Sequence, residues 1–148
     1  MYKILLEAHS GLRFVVLLLL VLSIVTAFVG WFGNKNYSGG NKKLYLFTLI
    51  FTHIQLLIGL FLYFVSPFAK PGEMGTAMKD DTFRYWTVEH GVLMIIAIVL
   101  ITMGYSKSKK LLSDTAKHKT VAIFYTLAVL IIVIAIVLSG RPLLGMSR

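Results

Sequence analysis

Cysteine is absent from the 148 residues. Disulfides, thiolate metal centres and iron–sulfur clusters are therefore excluded together, and histidine, methionine and carboxylate remain as the possible metal ligands. Acidic residues are scarce as well, six against fifteen Lys and Arg. The resulting charge of +9 does not point to nucleic acid, because the lysines lie in short loops beside apolar runs, where membrane topology and anionic lipid account for them. The first apolar run begins with a single Lys3, exceeds the length of a signal-peptide core and lacks a small-residue cleavage site, so it is expected to stay as a span. The six methionines are too scattered for a copper relay.

What the chain has in excess is apolar residues, 57% of the total, above the roughly 45–50% of soluble domains. Four runs approach or exceed the length of about 20 residues that crosses a bilayer, and together they leave no room for a soluble domain. Open strands cannot span lipid, so all four are helices. The expectation is an all-α integral membrane protein, one domain over 1–148, folded as an antiparallel four-helix up-down bundle with helices at about 5–33, 43–66, 84–105 and 114–139. The loops after the first and third runs share one side and carry eight lysines against one acid, Asp114, whereas the other side carries seven basic and five acidic residues. The positive-inside rule then places both termini outside, on the periplasmic face.

Small and polar residues mark the inward faces, because lipid tails are as apolar as leucine and only close packing or hydrogen bonding favours association. On the first helix His9, Arg13, Val16, Leu20, Ser23, Ala27 and Gly30 recur in steps of three and four. On the fourth, His118, Ala122, Tyr125, Ala128, Ile132, Ala135 and Ser139 do the same. The third presents His90, Met94, Ala97, Ile101 and Gly104, and the second Thr48, Thr52, Gln55 and Gly59, with His53 beside Thr52.

Each helix thus carries one histidine in it or at its edge. Ionisable groups at membrane depth are costly and read first as functional. His9 and His90 open the first and third helices, at the same face and across the diagonal, which suits two axial ligands of one haem. His53 lies about 14 Å inside Leu44 and His118 about 4 Å outside Val121, so these two differ in depth by about 18 Å and pair less well. His53, with Thr52 and Gln55, is a hydrogen-bonded core histidine, a haem ligand, a quinone contact or part of a proton or metal pathway. His118, between Lys117 and Lys119, reads as a surface residue. Arg13 and Arg141 reach the outer side, where guanidinium groups suit haem propionates or snorkel to the interface. Glu89 orients an imidazole by accepting a hydrogen bond from it, moves a proton near the outer surface, or is a solvated first-turn carboxylate.

The segments His9-Ser10-Gly11-Leu12-Arg13, Thr52-His53-Ile54-Gln55-Leu56-Leu57, Val88-Glu89-His90 and Lys117-His118-Lys119 give the chain a resemblance to the small bacterial four-helix membrane b-type cytochromes. The resemblance implies haem b, one group at His9 and His90 and a second drawing on His53 and His118. It also implies electron transfer in a bacterial inner membrane, with possible quinone exchange and a respiratory partner. The alternative is a non-catalytic accessory subunit of a larger respiratory or transport complex, whose histidines serve structure only.

Overall fold

The computed structural model describes residues 2–65, 79 and 89–138. Among these it has four helices, α1 (Tyr2–Phe32), α2 (Gly39–Val65), α3 (His90–Lys110) and α4 (Asp114–Leu138). Each is long and apolar enough to cross a membrane. At 1.5 Å per residue the 31 residues of α1 extend about 46 Å, well beyond a hydrocarbon core of about 30 Å, so its ends emerge into the interfaces. Large apolar side chains remain uncovered along every helix, among them Leu18, Phe61, Val92 and Val137, as lipid-facing surfaces require.

Cross-helix contacts define the up-down order. His9 of α1 meets His90 of α3, so the starts of these helices lie at one end. Tyr45 of α2 meets His118 and Tyr125 of α4 at the other end. Helix α1 packs on α2 and α4, and α3 packs on α4 and, least extensively, on α2, which leaves α1 and α3 as one diagonal and α2 and α4 as the other. The core follows the small-residue stripes: Val16, Leu20, Ser23, Ala27 and Gly30 of α1 and His118, Ala122, Tyr125, Ala128, Ile132 and Ala135 of α4 are all buried.

Two helix ends differ from the sequence expectation. Helix α2 begins at Gly39 rather than near 43, because Ser38 and Asn41 form a reciprocal cap. The Ser38 N–H donates to Asn41 Oδ1 at 2.9 Å and the Asn41 N–H to Ser38 Oγ at 3.1 Å. Helix α3 runs five residues past 105, its final turn carrying Lys107, Lys109 and Lys110 where the helix dipole favours cations. Gly104 sits inside it as a contact point, since a Cβ there would lie 2.7 Å from Phe124 Cβ. The third loop shrinks to residues 111–113, and Ser113 Oγ accepts the Ala116 N–H at 3.3 Å to start α4. Asn34, in the left-handed region at φ 51°, ends α1, with the Lys35 N–H reaching back to the Gly30 carbonyl. The expected start of the third helix near 84 lies outside the described residues.

Candidate functional site

The two ends of the bundle differ in kind. At the end where α1 and α3 begin, the imidazoles of His9 and His90 face each other with ring centres 6.4 Å apart and planes at 65°. Helix α2 supports this layer. Its Gln55 Nε2 donates to the His9 backbone carbonyl at 2.9 Å, and Gly59 comes so close that a Cβ there would lie 3.4 Å from His9 Nε2. His9 forms no hydrogen bond through its ring among the described residues. Two buried polar atoms in the same layer also lack partners among the described residues, Ser10 Oγ and Gln55 Oε1. Arg13, one turn inward, is half-buried with its guanidinium 5.1 Å from the centre of the Phe14 ring. Glu89 precedes α3 without forming a side-chain cap.

This layer can be tested against the haem expectation. A haem would be held by two imidazoles, one from each of two helices. His9 and His90 are such a pair, neighbours with ring centres 6.4 Å apart. Among the described residues no group of three His, Cys, Asp or Glu side chains converges as a metal site. A pair suffices only where the cofactor supplies the remaining ligands, as a porphyrin does. Beside the pair lie the Ser10 hydroxyl, unpartnered among the described residues, and Gly59, which sets no side chain against His9. His9 and His90 are the residues that would hold such a group.

At the lysine-rich end the fourth histidine contradicts its surface reading. His118 is only 1% exposed. Its Nε2 lies 3.1 Å from the Asn36 carbonyl, which can only accept, so Nε2 carries the hydrogen and Nδ1 receives the Tyr45 hydroxyl at 2.9 Å. The Tyr125 hydroxyl in turn donates to the Tyr45 carbonyl at 2.9 Å. Flanking lysines misled the sequence reading because successive helical residues diverge by about 100°. Lys117 lies over the Tyr37 ring at 5.0 Å and Lys119 over Trp31 at 5.6 Å, while the imidazole between them turns inward. Burial pushes the Tyr37 phenol above its ordinary value, which keeps the ring under Lys117 neutral.

With both nitrogens engaged, His118 has none left for a metal. It meets α2 at Tyr45, eight residues or about 12 Å from His53, so the second expected pair is not brought together. His53 instead donates Nδ1–H to the Leu49 carbonyl at 2.8 Å, and Thr52 donates to the Thr48 carbonyl. Sequence reasoning missed Tyr45 as the partner of His118 and Tyr125 as the residue that in turn bonds to Tyr45, although Tyr125 already stood on the same stripe as His118. Arg141 lies outside the described residues.

No protein-family model, curated protein or solved structure matches the chain.

Proposed function

We propose that this protein carries electrons in a bacterial inner membrane through one haem b ligated by His9 and His90. The reading assigns it a place between a quinol pool and a respiratory partner. The observation that supports it is the pair of imidazoles held 6.4 Å apart from diagonal helices at one depth. The bound iron would supply one-electron chemistry. The chain's own part is to fix the two imidazoles, His9 through the Gln55 bond to its carbonyl, and to offer Ser10 and Arg13 to polar edges of the ligand. The lysine-rich turns take the cytoplasmic side in this reading, which sets the His9 layer and both termini toward the periplasm.

Pyridine haemochrome assay and reduced-minus-oxidised spectra of the purified protein test this directly. His90→Ala should lose the low-spin spectrum while inserting normally, and His118→Ala should keep it. An unpigmented wild-type protein that copurifies at fixed stoichiometry with a membrane complex would instead identify an accessory subunit, a role for which the fully partnered His118 cluster supplies structural rigidity.

A further inference from the structure

Lysines crowd one end of the bundle, but their surroundings differ. Lys119 lies across the seam between α1 and α4, its ammonium 5.6 Å from the centre of the Trp31 ring. Trp31 is half-buried and stacks with Phe28 at 5.9 Å and Phe32 at 4.4 Å, so the ring beneath the charge is itself held. At the outer end of the same seam the Thr115 hydroxyl of α4 donates to Asn34 Oδ1 at 3.1 Å, and the exposed Lys35 follows Asn34 directly.

Charge at this seam is not balanced by the protein. Asp114, the one acid of the two lysine-bearing turns, opens α4 five residues before Lys119, about 7.5 Å along the axis and turned about 140° from it. Among the described residues no carboxylate pairs with Lys119 or Lys35. Depth follows from the helix as well: Lys119 lies two residues, about 3 Å, beyond Val121, where the apolar part of α4 begins, which is the level of lipid headgroups. One and two turns toward the bilayer centre, Ile123 and Leu127 are exposed on α4, while Phe28 and Ile24 continue below Trp31 on α1. The seam thus carries a cation at headgroup level and an apolar track leading into the hydrocarbon.

We propose that the α1–α4 seam at the lysine-rich end holds an anionic phospholipid, its phosphate against the Lys119 ammonium and an acyl chain along Ile123 and Leu127. Charge and depth together choose this occupant. A soluble phosphate would meet the lysine but leave the apolar track unused, and a zwitterionic lipid would fill the track but bring its own cation toward Lys119. The Trp31 ring keeps the lysine head at the interface, where its charge acts on the headgroup rather than on bulk water. Lys107 offers a contrast within the same end, since it lies over Phe124 at 5.5 Å, on the side of α4 that meets Gly104 of α3. Nothing in the site depends on a haem at the other end.

The test is quenching of Trp31 fluorescence in the reconstituted full-length protein, with Trp86→Phe removing the chain's other indole. Bilayers of phosphatidylcholine receive increasing fractions of either phosphatidylglycerol or phosphatidylcholine brominated near the carbonyl end of the acyl chains. Brominated phosphatidylglycerol should quench at lower mole fraction, with a relative affinity of about fivefold or more, the value of one lysine beside an anionic headgroup. Lys119→Gln should lower that ratio about fivefold with unchanged helix content, because the side chain it alters is exposed. Lys107→Gln should leave the ratio as it is. Equal quenching by the two brominated lipids before any lysine is changed, or an unaltered ratio in Lys119→Gln, overturns the site. An equal fall in Lys107→Gln also overturns it, since the lysines would then attract anionic lipid only as a diffuse charge.

Discussion

Gly30→Ala is the sharpest test of the lysine-rich end. The new methyl would fall on the His118 imidazole, 2.6 Å from Nε2, far inside the 3.5–4.0 Å of favourable carbon contact. The ring cannot step aside cheaply, because Tyr45 holds one nitrogen and the Asn36 carbonyl the other. Overpacking of this kind costs about 1–3 kcal/mol. Releasing the two hydrogen bonds adds about 0.6 kcal/mol each, the average found within membranes. Alanine returns about 0.5–1 kcal/mol of helix propensity. The expected net loss is therefore about 1–4 kcal/mol. Reversible unfolding in mixed detergent micelles, followed by circular dichroism, measures it, with Gly11→Ala as control because a Cβ at Gly11 meets nothing within 4 Å. The control should be neutral or slightly stabilised. In the double variant Gly30→Ala/His118→Ala most of the added cost of the methyl should vanish. A Gly30→Ala protein as stable as wild type would refute the packing argument.

Tyr45→Phe should destabilise by about 1–3 kcal/mol in the same assay, since it strips the donor from buried Nδ1 of His118. Tyr125→Phe should cost less, because the Tyr45 carbonyl it leaves is a helix carbonyl with a ladder partner of its own. Gly59→Val should insert and fold with normal helix content yet carry less than about half the haem per chain in a pyridine haemochrome assay, because its branched side chain enters the space at His9. Full haem content in that variant would show that the opening is not used.

Much of the fold could be read from spacing. On α1 and α4 the steps of three and four between small or polar residues named the buried face, and each described non-ionisable member of those stripes is buried. The His9 and His90 layer was legible because both residues lie near the starts of helices that begin at one end. His118 was not, because its neighbours' charge was taken for its own environment, and snorkelling lysines above aromatic rings permit the residue between them to face inward. Its tyrosine partner, Tyr45, comes from α2, and local pattern carries no record of a contact spanning 73 residues. The extents of α2 and α3 escaped for another reason. A cap made by Ser38 and Asn41, and a glycine chosen for contact with Phe124, look in sequence like ordinary loop composition.

The bond from His118 to the Asn36 carbonyl ties the first turn of the protein to its last helix, 82 residues later in synthesis. During translation the α1–α2 hairpin must therefore enter the membrane with that turn unlocked, its carbonyl and the Tyr45 hydroxyl served by interfacial water. Only when the fourth helix arrives can Tyr125, Tyr45, His118 and Asn36 exchange water for one another. The arrival of α4 thereby becomes the event that closes this end, and a nascent product truncated before it would present an open, hydrated turn.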